Sequence, residues 1–192
     1  MRIVAGKFRG RALVTPDSEG LRPTSDRVRE SVFNILAHGI EDISLDGARV
    51  IDLFAGTGAL GLEALSRGAS YCLFVEDAAD ARALIRRNVE AFGLTGETRI
   101  FRRDASDLGP AGNLGKYDIA FLDPPYDKGL GEKALGILAS GGWLNPGSIA
   151  VFEEREGATI ALPDGFSEID KRSWGGTEVR FLRFGQARKS ES

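Results

Sequence analysis

Asp123, Pro124, Pro125 and Tyr126 follow directly on the apolar run Tyr117–Leu122. A carboxylate beside a carbonyl, with no proline N–H to compete, is a pair of acceptors. An exocyclic amino group on a nucleobase needs such a pair, because its lone pair is delocalised into the ring. Taking one hydrogen on Asp123 and the other on the Pro124 carbonyl turns that lone pair toward an electrophilic carbon. Tyr126 adds a flat face for a base drawn out of its stack. The same residues would also make a proline turn with an aspartate cap and a buried tyrosine.

A second group lies upstream, in Asp52-Leu53-Phe54-Ala55-Gly56-Thr57-Gly58-Ala59-Leu60-Gly61. Gly56 and Gly58 allow a tight turn and close approach of a ligand, and a helix beginning beyond them offers free N–H groups. The literal Gly-x-Gly-x-x-Gly match also admits a dinucleotide. Asp52 would repel a pyrophosphate and attract an ammonium group, and Glu76, 20 residues after Gly56, is placed to accept two ribose hydroxyls. S-adenosylmethionine satisfies both conditions. Its adenine would then fall to Asp104, as acceptor for the amino group, and to the Ala105 N–H. Asp104 would equally well cap a helix.

These groups need a scaffold that brings strand ends together. Short apolar runs at Val50–Phe54, Tyr71–Val75, Thr98–Phe101, Tyr117–Leu122 and Ser148–Phe152 alternate with helical patterns at Ala59–Arg67, Ala81–Phe92 and Leu130–Ala139. The segments Phe166–Arg172 and Glu178–Phe184 flank Trp174-Gly175-Gly176 as an antiparallel hairpin. The expected fold is α/β: a doubly wound, mostly parallel, seven-stranded Rossmann-like sheet. A C-terminal antiparallel hairpin and a small N-terminal β-hairpin and helix complete it. Residues 1–38 are read as a basic extension, 39–186 as the catalytic domain and 187–192 as a mobile tail.

Composition narrows the chemistry further. With one cysteine and one histidine in 192 residues, disulfide frameworks, histidine triads and thiolate or histidine metal sites are nearly excluded. No apolar run suits a membrane helix or a secretory signal, so a cytoplasmic, metal-free protein, acting as a monomer, is expected. The net charge of −3 hides an asymmetry. Residues 1–30 hold seven basic and four acidic side chains, a balance of +3 that leaves −6 for the remainder. A basic arm of that kind meets a polyanion.

Three stretches resemble one family: Arg2–Arg11 (RIVAGKFRGR), Leu21–Glu30 (LRPTSDRVRE) and Phe54–Gly68 (FAGTGALGLEALSRG). Together with Asp123-Pro124-Pro125-Tyr126 they are similar to the bacterial RsmD family, class I methyltransferases of small-subunit (16S) ribosomal RNA. The likeness runs over nearly the whole chain, is densest in residues 2–68 and is loosest after Gly157. It implies methyl transfer from S-adenosylmethionine to the N2 amino group of one guanine, with S-adenosylhomocysteine as product. Asp123, Pro124 and Tyr126 would form the reaction site, and Asp52, Phe54, Gly56, Thr57, Gly58, Glu76, Asp104 and Ala105 the cofactor site. Arg9, Arg11, Arg22 and Arg29 would contact RNA phosphates. Phe8, Trp143 and Trp174 read as packing residues. The alternatives are methylation of another amino group (DNA adenine or protein glutamine) and a non-catalytic RNA-binding module. A nicotinamide dehydrogenase is disfavoured by Asp52 and by the want of a proton donor.

Overall fold

A computed structural model describes residues 1–17 and 25–185. Strands β1 (Arg49–Leu53), β2 (Tyr71–Val75), β3 (Thr98–Phe101), β4 (Tyr117–Leu122) and β5 (Leu144–Arg155) are parallel neighbours. Strand β7 (Thr177–Phe184) runs antiparallel to β5, and β6 (Phe166–Trp174) pairs with β7, giving the order β3-β2-β1-β4-β5-β7-β6. The crossover direction reverses between β1 and β4, which leaves a crevice at their carboxyl ends.

Both faces of the central strands are covered, so they read as continuous apolar runs rather than alternating ones. Helices α1 (Asp26–His38), α2 (Ala59–Ser66) and α3 (Ala79–Phe92) build one core against Val50, Phe74 and Phe121. Helix α4 (Leu130–Ser140) and the segment around Ala105, Leu108 and Ala111 build the other against Ile51, Leu73 and Leu122. Trp143 is fully buried in the second core, its indole N–H donating to the Gly109 carbonyl at 2.7 Å.

Strand β5 begins at Leu144, four residues earlier than the apolar run suggests, and contains Asn145-Pro146-Gly147. A register shift opposite Tyr117–Ile119 accommodates the proline, and the Asn145 amide ties the irregular stretch to the Asp118 carboxylate at 2.9 Å. At the other end, Gly175 and Gly176 have φ of 57° and 86° and close the β6–β7 hairpin in two residues. Two positive φ values give a primed turn, which matches strand twist and which glycine alone adopts without strain.

The basic arm is a short hairpin strapped to the domain. Its only ladder contact among the described residues is an isolated bridge between Arg2 and Ala12. Within the arm Ile3 N–H donates to the Arg11 carbonyl at 3.0 Å, Gly10 N–H to the Ile3 carbonyl at 2.8 Å and Leu13 N–H to the Met1 carbonyl at 3.1 Å, and other backbone groups are satisfied by the domain. Val4 and Ala5 N–H groups donate to the two Glu63 oxygens, Phe8 N–H donates to the Ser66 hydroxyl, and Val14 N–H donates to the Asn88 side chain. Ile3, Leu13, Val32, Phe33 and Leu36 lie in the same core as Val50 and Phe74. The tail expected at 187–192 lies outside the described residues.

Candidate active site

The carboxyl ends of β1, β2, β4 and β5 and the tip of the β6–β7 hairpin surround a cleft of about 1070 Å³. Phe54, Gly56, Glu76, Asp104 and Ala105 line one half, and Asp123, Pro124, Pro125 and Tyr126 the other. The two groups singled out by residue type therefore share one space.

Strand β1 ends at Leu53, and the chain turns through Phe54 at φ 57° and Gly56 at φ 57°. The Phe54 conformation is strained for a side chain with Cβ, and such strain gathers where a loop is shaped for a ligand. At Gly56 the nearest group to an added Cβ is the Phe54 carbonyl, 4.0 Å away. Backbone conformation and ligand approach, not internal crowding, call for glycine there. Gly61 is different: a Cβ would sit 2.4 Å from the Phe74 ring and 2.5 Å from the Cys72 sulfur, so this glycine lets α2 pack on β2. Thr57 and Gly58 lie behind the lining, with the Thr57 carbonyl accepting from the Asn88 amide at 3.1 Å and Gly58 capping α2.

Glu76 ends β2 and holds the glycine turn. Its Oε2 accepts from Gly56 N–H at 2.8 Å and its Oε1 from Ala78 N–H at 2.9 Å. Those bonds fix a carboxylate that retains acceptor capacity for a vicinal diol. Asp104 does cap a short helix, Ala105–Asp107, through 2.7 and 2.8 Å bonds from the Ser106 hydroxyl and N–H, and these hold its pKa below the ordinary carboxylate range. It lines the cleft as well, so capping does not remove it from the cleft.

Asp52 departs from expectation. It is 1% exposed, does not line the cleft, and accepts from Gly61 N–H at 3.0 Å. Burial pushes its pKa up to about 8, which favours the protonated carboxyl group and weakens its pull on an ammonium group. The acidic character of this half comes instead from Glu76, Asp77 and Asp104, which still oppose a pyrophosphate. Asp52 joins the end of β1 to the start of α2. The folded protein keeps its proton up to about pH 8, whereas the unfolded chain releases it near 3.8, so stability falls as pH rises between those values. Asp52→Asn keeps an acceptor for Gly61 without the proton. Its stability relative to the parent is expected to improve by ~2–3 kcal/mol between pH 5 and pH 7 in urea titrations, and a difference independent of pH would refute the assignment.

In the other half, Tyr126 is tied down through its hydroxyl. It donates to Glu153 Oε1 at 2.8 Å and lies 2.9 Å from Thr177 Oγ1, which, since the phenol has one proton, is the donor in that second bond. Burial holds the phenol pKa well above its ordinary range. Glu153, Trp174, Gly175 and Thr177 also line this half, with Ser25, Arg27 and Val28 from the start of α1. Trp174 is thus a cleft residue as well as a packing one. The topology carries the signal for it: β7 starts where β5 ends, Arg155 pairing with Thr177, so the hairpin tip must rise at the catalytic edge.

The arginines divide. Arg29 cannot reach RNA: its side chain is wholly buried, donating to Asp26 at 2.8 Å and to the Arg2 carbonyl, with Nε 3.6 Å from Glu63. Its position with Val32, Phe33 and Leu36 on the inner stripe of α1 explains the burial. Arg11 is exposed but lies over Phe92 at 4.3 Å and donates to the Ala91 carbonyl. Arg9 is exposed, and Arg22 lies outside the described residues. Phe8 packs on Phe92 with ring centroids 5.0 Å apart.

A doubly wound sheet with a glycine turn after its first strand and an Asp-Pro-Pro-Tyr elbow at the switch point defines a Rossmann-like methyltransferase domain. The family described as Conserved hypothetical protein 95 matches residues 1–183. Ribosomal RNA small subunit methyltransferase D of Escherichia coli K12 is 42% identical over 170 residues, 87% of this chain and 81% of its own length. The solved structure of Escherichia coli yhhF superposes with a TM-score of 0.83 at 32% identity, covering 96% of this chain and 98% of its own. An RNA methyltransferase of Salinibacter ruber, in complex with S-adenosyl-L-homocysteine, shares the fold with a TM-score of 0.63 at 16% identity, over 88% of this chain and 97% of its own. This chain belongs to that matched family, the RsmD family.

Proposed function

We propose that the protein transfers a methyl group from S-adenosylmethionine to the exocyclic N2 of a guanine in small-subunit (16S) ribosomal RNA. The observation that carries this reading is the meeting of two groups in one cleft: the acceptor pair at Asp123-Pro124, and the carboxylates of Glu76 and Asp104 around the Phe54–Gly56 turn. A nucleoside with a cationic amino-acid arm fits the second group. Glu76 is fixed for the ribose, Asp104 and Ala105 for the adenine, and an acidic lining suits the positive charge. The family relatives named for rRNA methylation support the same donor and acceptor.

The bound cofactor supplies an electrophilic methyl on a sulfonium and departs as a thioether. The chain's own residues prepare the nucleophile. The Asp123 carboxylate and the Pro124 carbonyl accept the two N2 hydrogens, and Asp123 is the base nearest the proton released once nitrogen has gained its fourth bond. Tyr126, fixed through Glu153 and Thr177, offers its ring to the extruded base. The remaining work is alignment, worth up to ~7–11 kcal/mol when the reacting atoms are held near attack distance. Arg27 and Arg103 stand on the rim, where phosphates flanking that base would pass, and Arg9 extends the basic surface. The reading also takes the protein to be a cytoplasmic monomer.

The experiment is methyl transfer from tritiated S-adenosylmethionine to small subunits, naked rRNA, DNA and a glutamine-bearing protein, followed by nucleoside analysis. N2-methylguanosine from small-subunit rRNA alone is the expected product. Label in DNA or protein, or calorimetry showing no uptake of the cofactor, would overturn the reading.

A further inference from the structure

The arm is not the densest block of positive charge in the chain. Residues 82–103 carry six arginines against two glutamates. They fall on helix α3 and strand β3, and β3 is an outer strand of the sheet. Both ends of this unit are fixed. At one end Asp77, Ala78 and Ala81, around the start of α3, and Arg103, just after β3, line the cleft. At the other end the arm tip is docked. Arg11 lies over Phe92 at 4.3 Å and donates to the Ala91 carbonyl, and Lys7 pairs with Glu97 at 3.8 Å. The 14 residues of α3 span ~20 Å between the two. The cations of the arm tip therefore stand beyond the reach of a single nucleotide seated in the cleft.

Arginine fills the interval. Helix α3 buries Ile85, Asn88, Val89 and Phe92 and leaves Arg86 and Arg87 exposed, while β3 and the turn after it expose Arg99 and Arg102. Arg82 is held by the Glu76 and Asp77 carbonyls. None of the four exposed arginines pairs with an acidic side chain among the described residues, although Asp80 and Glu90 share α3. The opposite edge of the sheet is built otherwise, with Lys171 paired to Glu178, Arg172 to Asp170 and Arg180 to Glu168. Mixed charge serves a face that only meets water. Like charges set side by side on one edge, in a chain of net charge −3, repel one another and gain when a polyanion lies along them.

Resting on the reading above, we propose that the outer faces of α3 and β3 form a phosphate track. The rRNA backbone leading away from the target nucleotide leaves the cleft at Arg103, passes Arg86, Arg87, Arg99 and Arg102, and reaches Lys7, Arg9 and Arg11 at the arm tip. The substrate is then an extended rRNA segment, gripped over ~20 Å, rather than the target nucleotide with its immediate neighbours alone.

The test measures binding of two RNAs against salt concentration: an rRNA segment long enough to follow α3, and an oligonucleotide holding the target guanine with only its immediate neighbours. Arg86→Ala combined with Arg87→Ala is expected to weaken binding of the long RNA ~10-fold near 0.1 M salt and to flatten its log–log salt slope by ~1–2. The short RNA is expected to bind parent and variant within about twofold of each other, since it does not reach the track. Lys116→Ala combined with Lys171→Ala removes the same charge from elsewhere on the surface and should leave both measurements unchanged. Cofactor affinity, measured alongside, reports that each variant is folded. Should the α3 variant not fold, Arg99→Ala combined with Arg102→Ala is read in its place. An unchanged slope on the long RNA, an equal loss on the short one, or an equal loss in the lysine variant would overturn the track. A wild-type product other than N2-methylguanosine would instead overturn the underlying function, and nucleoside analysis of the methylated RNA separates that failure from loss of the track.

Discussion

Asp123→Ala is expected to lower kcat for methyl transfer by ~10²–10³-fold, the scale for removing one preorganised partner of a reacting group. The dissociation constant for S-adenosylmethionine, read by calorimetry, is expected to stay within about threefold, because Asp123 lies in the opposite half of the cleft from Glu76 and Asp104. Asp123→Asn keeps an acceptor oxygen and should lose less than the alanine variant. An equal loss of cofactor affinity would mean that Asp123 holds the donor half or the fold, and the acceptor pair would have to be sought elsewhere.

The second large effect is on stability. Glu63 is wholly buried and receives the Val4 and Ala5 N–H groups, Arg67 Nε at 2.9 Å and, at 3.6 Å, Arg29 Nε. Arg29 Nε and Nη1 make no hydrogen bond among the described residues, so the cluster has little slack. Glu63→Ala removes one of the two carboxylates beside the buried Arg29 guanidinium, only the half-exposed Asp26 remaining, and leaves two backbone donors without acceptors. Such a break costs ~3–5 kcal/mol in the folded state, to be read from urea titrations. Pairing it with Arg29→Met should restore part of the loss, since an apolar replacement removes the stranded charge. A single-variant loss below about 1 kcal/mol would show that water or Arg67 relieves the cluster.

Both effects bear on what the residues disclose in advance. The meeting of the Asp-Pro-Pro-Tyr elbow and the glycine turn in one cleft was legible because prolines stop β4 at its carboxyl end and an acidic residue follows the glycines one strand later. Arg29 was harder: read as one charge among many on a basic arm, it joins Val32, Phe33 and Leu36 in helical register. Asn88 stands likewise among Ile85, Val89 and Phe92. A polar residue in step with an apolar stripe marks a buried joint, and here both joints secure the arm. Asp52 misled for another reason. Its place at a strand end is visible in the chain, but the depth at which Gly61 N–H meets it, and hence its protonation, depends on packing of α2. Glu153, Trp174 and Thr177 sit on strands whose common edge emerges only once β7 is known to pair with β5.

The β6–β7 hairpin ends at the cleft while belonging to neither β1 nor β2. The residues expected to hold the donor thus lie on stretches of polypeptide separate from this ribbon. That ribbon can therefore vary beside Tyr126 while the strand ends that carry Glu76 and Asp104 stay as inherited.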